Sequence, residues 1–286
     1  MNSNISIYIP AYNAEKTIEK SLNSILNQSI KPDKILIIND HSTDATLEIL
    51  NKYKDKISII NNPKNMGVSY SMNVANKYLT SRYVAKIDAD VELENHWIEK
   101  LLTKIKGKNF VMIGGKMYEK YIDNPFNFWR SQRLKQNWGE NDIINPNFIF
   151  GCNNILDTTK IDIIKKYRID NNYFKTNGED IEICNFFKKN NLNTFYDSQT
   201  VCYHLQDDDG KSLSNRYWRY LYYGDGLKKR NFFKTIKNII RQIKKTLKWT
   251  IEDIIKLNFK LVIVNFIILF YFINIDFKFY LQNRND

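Results

Sequence analysis

Short β-branched runs alternate with helical repeats from residue 5 to residue 87, and that rhythm constrains the fold more than any other feature. Ile5–Ile9, Lys34–Ile38, Ile57–Ile60 and Tyr83–Ile87 read as buried strands. Glu15–Leu26, Ala45–Tyr53 and Tyr70–Tyr78 read as helices; in the first, Ile18, Leu22, Ile25 and Leu26 fall on one face. Strand–helix alternation predicts a parallel sheet with helices on both faces, wound in both directions. Ligands of such sheets bind beyond the carboxyl ends of the strands. Each polar loop considered below directly follows a strand.

The remaining chain is read more coarsely. Asn95–Lys106 is predicted helical and Phe110–Lys116 a strand. Residues 120–147 read as irregular, Phe148–Asn154 as a strand with a turn, and Lys160–Lys166 and Ile181–Asn190 as helices. Thr194–Tyr203 is predicted to be a strand ending at His204. We expect a domain over residues 1–210 and a helical region over 211–286.

At 286 residues the chain can bury a core without staples, and 43% hydrophobic with 26% charged residues is an ordinary globular balance. Wholesale disorder, collagen-like repeats and a multi-span membrane protein are excluded on that ground. Cys152, Cys184 and Cys202 show no paired-ligand spacing and read as reduced, buried thiols. The N-terminus lacks the basic and long apolar regions of a signal peptide, so the first domain is expected on the cytoplasmic side.

The net charge of +12 is unevenly placed. Lys211–Lys248 holds 12 basic residues and one acid, Asp225. Such a run suits nucleic acid, an anionic membrane surface or a solvated face. Within it, Phe233, Ile236, Ile239, Ile240, Ile243 and Leu247 form one helical stripe between Lys and Arg. A cationic amphipathic helix of that kind reads as lying in a membrane interface. Leu261–Ile273 follows as an apolar stretch too short for a standard span. Monotopic insertion is the expectation, with packing on protein or in a homo-oligomer as the alternative.

Asp88-Ala89-Asp90 closes the fourth strand, and paired carboxylates there suit Mg²⁺ or Mn²⁺ with substrate phosphates. The other strand ends carry Pro10-Ala11-Tyr12-Asn13, Asn39-Asp40-His41-Ser42-Thr43-Asp44 and, before the third helix, Asn65-Met66-Gly67 with Asn73 behind it. Together, in this order, these loops resemble those of the inverting family 2 glycosyltransferases of the GT-A fold, over about residues 4–205. The resemblance implies an α/β fold, Rossmann-like with a mostly parallel sheet, and a nucleotide-sugar donor, UDP-linked by default.

By the same resemblance, Pro10, Tyr12, Asn13, Asp40, Asn65, Gly67 and Asp88 would contact the donor. Tyr12 would pack on base or ribose and Asp40 would accept a hydrogen bond from the base. Asp90 would bind Mn²⁺ or Mg²⁺, with Asp88 in the ribose or metal shell and His204 as a further ligand. Gly151 and Asn153 resemble the turn beneath the acceptor sugar. Asp180 resembles the family's catalytic base, with Glu179 orienting it or the acceptor. A base is required because the acceptor hydroxyl must lose its proton as it attacks. Two positions depart from the pattern: Asn39 replaces an acid and Met72 replaces an Arg.

The rings of Phe126, Phe128, Trp129 and Trp138 offer faces for sugar stacking or anchors for an irregular segment. Trp129 is the acceptor-stacking candidate among them. Asp207-Asp208-Asp209-Gly210 reads as a loop closing over the donor, and Arg216-Tyr217-Trp218-Arg219-Tyr220 as a border to substrate phosphates. The functional expectation is a metal-dependent inverting glycosyltransferase. It would act on a glycan or lipid-linked acceptor for surface polysaccharide, at the cytoplasmic face of the membrane. The alternatives are a nucleic-acid-binding protein using residues 211–248 and a non-catalytic sugar-nucleotide binder. The basic run carries an apolar stripe and no nucleic-acid motif, so no nucleic-acid partner is expected.

Overall fold

The computed structural model describes residues 3–160, 178–222 and 232–282. Asn177, the expected helix beyond Lys160, and residues 223–231 with Asp225 lie outside the described residues. The chain divides into two compact units: Met1–Lys120 with Lys135–Gln206, and Tyr121–Leu134 with Asp207–Asp286.

The first unit opens with the expected alternation: β1 (Ile5–Ala11), α1 (Ile18–Leu26), β2 (Lys34–Asn39), α2 (Thr46–Asn51), β3 (Ser58–Asn61), α3 (Val68–Tyr78) and β4 (Tyr83–Ile87). Next come β5 (Val91–Leu93), α4 (Trp97–Ile105) and β6 (Phe110–Glu119). After α5 (Pro125–Arg133), which belongs to the second unit, the first unit resumes with β7 (Ile143–Ile144), β8 (Asn153–Asp157), α6 (Glu179–Lys189) and β9 (Asn193–His204). The strands form one sheet in the order β3-β2-β1-β4-β8-β6-β9-β5, with β7 on β9. β3, β2, β1 and β4 are mutually parallel, and β6 is parallel to β9. β8 runs antiparallel between β4 and β6, and β5 antiparallel to β9. The α/β architecture with a mostly parallel sheet is thus present.

Alternation along each strand sends side chains to opposite faces. Ile5, Ile7 and Ile9 of β1 pack in one core with Ile18 and Leu22 of α1 and Leu101 of α4. Tyr8 points the other way, into a second core with Leu36, Ile38 and Val84 beneath Met72 and Ala75 of α3 and Leu79 just after it. Met112 of β6 and Leu156 of β8 pack under Ile183 and Phe187 of α6. Each fully buried Ile or Leu contributes roughly 1.5–3 kcal/mol of transfer free energy. The flat strands therefore need both helical layers.

Two local expectations fail for identifiable reasons. Residues 120–147 are not wholly irregular, because Asn124 caps α5 by accepting from Phe126 N at 2.8 Å and Pro125 occupies the first turn. The strand expected at Phe148–Asn154 begins only at Asn153. Before it, Phe148 and Phe150 turn inward to Trp138, with ring centroids 5.1 and 5.6 Å away.

The second unit is helical: α5, α7 (Gly210–Tyr222), α8 (Phe232–Ile255) and α9 (Phe259–Gln282). Its core joins Trp129 of α5, Leu213, Tyr217 and Trp218 of α7, and Leu261, Val264, Ile268 and Phe272 of α9. The apolar stretch is not short: α9 continues to Gln282, and its 24 residues are long and apolar enough to cross a membrane by length and composition.

The buried polar groups of this unit are joined to one another. Trp129 Nε1 donates to Asn265 Oδ1 at 2.7 Å, Asn265 Nδ2 to Asp253 Oδ2 at 2.8 Å, and Arg133 Nη2 to Asp253 Oδ1 at 2.6 Å. The acidic run is fixed as well. Asp208 is buried between Arg130 and Arg216, and Asp207 accepts from Asn124 and Asn127. The expectation of a closing loop is corrected by these ion pairs.

Candidate active site

Because β1, β2 and β4 are parallel, their carboxyl ends share one edge. The first two loops there are tied together. Asn13 N donates to Ser42 Oγ at 3.1 Å, and Thr43 N donates to Asn13 Oδ1 at 2.8 Å. Glu15 N reaches Asp44 Oδ2 at 3.1 Å. Tyr12, just beyond β1, is left 49% exposed, and Pro10 and Asn65 are part-exposed.

Asp40 is engaged within the protein. It is 4% exposed, and Oδ1 accepts from Asn62 Nδ2 at 2.7 Å and Met66 N at 2.9 Å. Its Oδ2 accepts from Gly67 N at 2.7 Å. Asp40 therefore clamps the turn that starts α3, where Gly67 has φ 88°, a region open to glycine. Sequence shows an acid after a strand, but not the three donors that converge on it. Asn39 is likewise buried and donates to Asn61 Oδ1 at 2.8 Å.

At the end of β4 lies a cluster that the motifs only half disclosed. Lys86 is 3% exposed, yet its ammonium reaches Asp88 Oδ1 at 2.8 Å, Gly151 O at 2.7 Å and Glu179 Oε1 at 3.7 Å. Burial alone would lower its pKa, but Asp88 and Glu179 outweigh that and raise it, so the amine stays charged. Nothing in the motifs marked Lys86. The available signal was a lysine inside an otherwise apolar strand, where an unpaired charge is too costly to keep.

Glu179 and Asp180 open α6 after Gly178, which has φ 90°. Asp180 Oδ1 accepts from Ile181 N at 2.8 Å, and Oδ2 faces Gly151 N at 3.4 Å. Burial raises the Asp180 pKa against those hydrogen bonds and Lys86. Burial also pushes Glu179 up to about 7; Lys86 opposes this and the Asp180 carboxylate adds to it. Glu179 Oε2 is buried with no hydrogen-bond partner. A Cβ on Gly151 would stand 3.3 Å from Asp180 Cβ and from Glu179 Oε1, so the turn needs its glycine. Asn153 is fully buried instead of facing an acceptor, and its Oδ1 accepts from Gly115 N at 2.9 Å.

Asp90 lies nearby on the same β4 exit. Its Oδ2 accepts from Gln206 Nε2 at 2.8 Å and sits 3.4 Å from His204 Nε2. His204 Nδ1 meets Glu119 Oε2 at 3.0 Å. Burial lowers the His204 pKa, but Asp90 and Glu119 outweigh it and lift it to about 9. Among the described residues no group of three His, Cys, Asp or Glu side chains is arranged to hold a metal ion. The Asp90–His204 pair still fits a divalent cation in kind, a hard oxygen beside an imidazole, with remaining positions open to phosphate oxygens. Asp88 already neutralises Lys86.

Trp129 is the clearest correction. It is fully buried in the second unit, edge-on to Tyr217 at 5.6 Å and to Trp249 at 5.3 Å. No face remains for a sugar. Tyr217 and Trp218 are buried in that same core, so these rings border no phosphates.

The comparisons agree with this geometry. The family model for glycosyl transferase family 2 matches residues 6–169. An uncharacterized glycosyltransferase of Haemophilus influenzae is 34% identical over 131 residues, 45% of this chain and 41% of that protein. Chondroitin synthase of Pasteurella multocida is 34% identical over 113 residues, 38% of this chain and 12% of that protein. The Escherichia coli protein UDP-Glc:alpha-D-GlcNAc-diphosphoundecaprenol beta-1,3-glucosyltransferase WfaP is 36% identical over 118 residues, 41% and 44% of the two chains. The chain thus spans less than half the length of these relatives.

In fold it is similar to residues 1–349 of S. aureus TarS in complex with UDP-GlcNAc, with TM-score 0.59, 19% identity and coverage of 77% and 65%. It is also similar to the mannosyltransferase PcManGT of Pyrobaculum calidifontis in complex with GDP-Man and Mn²⁺, with TM-score 0.58, 13% identity and coverage of 76% and 61%. A GT-A sheet, acids gathered at its carboxyl edge and a family match over more than half of the sequence agree with one another, and the chain belongs to glycosyl transferase family 2.

Proposed function

We propose that this protein is an inverting glycosyltransferase of bacterial surface polysaccharide synthesis, with Asp180 as the base. The observation that carries the reading is the link from Asp88 through Lys86 to Gly151 and Glu179. One buried ammonium ties a carboxylate at the D-x-D strand end to the turn beside Asp180. A nucleotide-diphosphate sugar, UDP-linked by default, would lie over the β4 exit with Tyr12 against its base. An acceptor hydroxyl held above Gly151 would lose its proton to Asp180 as it attacks the anomeric carbon from the face opposite the diphosphate.

Asp90 and His204 would hold Mn²⁺ or Mg²⁺, which when bound neutralises charge on the departing nucleotide. Ligation requires His204 to give up the proton that Asp90 and Glu119 hold on it. Lys86 would hold Asp88 in place through its 2.8 Å hydrogen bond. Residues 1–210 would supply the chemistry and 211–286 an attachment to an anionic membrane surface at the cytoplasmic face, where a glycan or lipid-linked acceptor is presented. The exposed stripe of Ile240, Ile243, Leu247, Ile251 and Ile254 on α8, set among Lys and Arg, supports that attachment.

The test is transfer or hydrolysis with a panel of nucleotide sugars, with and without Mn²⁺. Wild type should act only with the cation. Asp90→Ala and Asp180→Ala acting at the wild-type rate would overturn the assignment.

A further inference from the structure

Between α3 and α6, on the sheet face that carries Tyr8, lies a cavity of about 40 Å³. A buried water needs roughly 10–15 Å³, so the space admits about three waters or one small organic group. Its walls are mostly apolar: Met72 of α3, Met112 of β6, Leu156 of β8 and Ile183 of α6. Gly151 and Asp180 line it too, so it abuts the proposed base.

Glu179 and Tyr8 both line this space. Glu179 Oε2 is a buried acceptor with no partner. The Tyr8 hydroxyl, on a residue 5% exposed, donates to no described residue, and burial raises its pKa so that it keeps its proton. Lys86, Asp88 and Glu179 are all near enough to act on that hydroxyl electrostatically. A buried acceptor without a partner is unusual, because buried polar groups are nearly always paired, and this one shares its cavity with a tyrosine and a thioether-lined wall.

We propose that this cavity seats the acetamido group of an N-acetylated hexosamine, an inference that rests on the transferase reading above. The amide N–H would donate to Glu179 Oε2 and the amide carbonyl would accept from Tyr8. The methyl would fill the space between Met72, Met112 and Ile183. The Glu179 acceptor gains a partner and the wall gains an apolar occupant. An anion is excluded by the carboxylates of Glu179 and Asp180. A plain hydroxyl would satisfy one polar atom and leave the wall unfilled. Met72, which departs from the family's arginine, is what opens the space: a guanidinium there would occupy it. The acetamido group belongs either to the donor sugar or to the acceptor sugar, since both meet near Asp180.

The experiment uses the full chain carrying ¹³C-methyl methionine, with Met72 and Met112 assigned through Met72→Leu and Met112→Leu. It is titrated with four probes in Mg²⁺: UDP-N-acetylglucosamine, UDP-glucose, methyl N-acetyl-β-glucosaminide and methyl β-glucoside. Both methionine methyls should shift with one or both acetamido probes and stay fixed with the matching glucosyl probe. Which acetamido probe acts tells donor from acceptor. Met72→Arg should weaken binding of that probe at least 10-fold, and Met72→Leu should preserve it. Equal shifts from acetamido and glucosyl partners would overturn the proposal, as would sugar-nucleotide binding that leaves both methyls unmoved. In that second case the transferase reading survives. Absence of binding by all four probes and by UDP would remove both.

Discussion

The two units solve burial in opposite ways. In the sheet unit Ile, Leu and Val fill the interior, and most buried polar side chains sit near the carboxyl edge of the strands or fix loops. In the helical unit α8 buries Thr235, Gln242, Thr246, Thr250 and Asp253 and turns Ile240, Ile243, Leu247, Ile251 and Ile254 outward. Likewise α9 buries Asn265 and Asp276 while exposing Ile263, Phe266 and Phe270. Water drives the first arrangement. The second suits a surrounding in which outward carbon is not penalised. One chain thus combines a unit with an apolar interior and a helical unit that buries polar groups on α8 and α9 while leaving apolar side chains outside.

The contrast can be broken or sharpened by four measurements. Asp180→Asn should lower transfer by about 10²–10⁴-fold, the usual worth of a positioned general base, while thermal melting stays near wild type. A loss of activity accompanied by unfolding would instead assign Asp180 to the fold. Asp253→Ala removes the buried carboxylate that joins the Arg133 guanidinium to the Asn265 amide, leaving Arg133 with Glu252 and Trp249 O and Asn265 Nδ2 with Thr250. Removing one partner of a buried pair costs about 3–5 kcal/mol, so hydrogen exchange should rise across α8 and α9 and leave β1–β4 protected.

Glu179→Gln tests the polar edge of the sheet unit through pH. Glu179 has a pKa of about 7 in the fold against a reference of 4.5. The folded value is the higher, so its contribution to stability is full below the reference and is lost as pH rises through the folded value. The Gln variant lacks that loss. Between roughly pH 5 and pH 8 it should gain on wild type by on the order of 1–3 kcal/mol in chemical denaturation. The smallest effect is expected on the outer face of α8. Lys244→Gln and Lys248→Gln should each weaken binding to anionic vesicles by about 1 kcal/mol, near fivefold, and neutral vesicles should show no difference.

Much of the sheet was legible because its signals are local. β1 to β4 announce themselves as β-branched runs, and the helices between them by one-sided spacing. The candidate site was legible only where chemistry and position coincide, as at Asp88-Ala89-Asp90 and Glu179-Asp180. The loop-fixing role of Asp40 is hidden from sequence because its three donors come from Asn62, Met66 and Gly67, beyond a strand it does not adjoin in sequence. Trp129 misled because its partners Tyr217, Trp249 and Asn265 lie far along the chain. Lys86 was passed over because a cation in a strand has no motif. In α5 the signal was present, an Asn followed by Pro, and aromatic composition obscured it.

The chain's path between the two units has a consequence for synthesis. α5 is made between two segments of the sheet unit, yet Trp129 finds its hydrogen-bond partner on α9. On the ribosome this tryptophan lacks that partner until α9 has emerged. Removing residues 207–286 would not yield a clean catalytic half, because α5 would remain with its apolar face bare. A trimmed version should aggregate unless residues 121–134 are shortened with it.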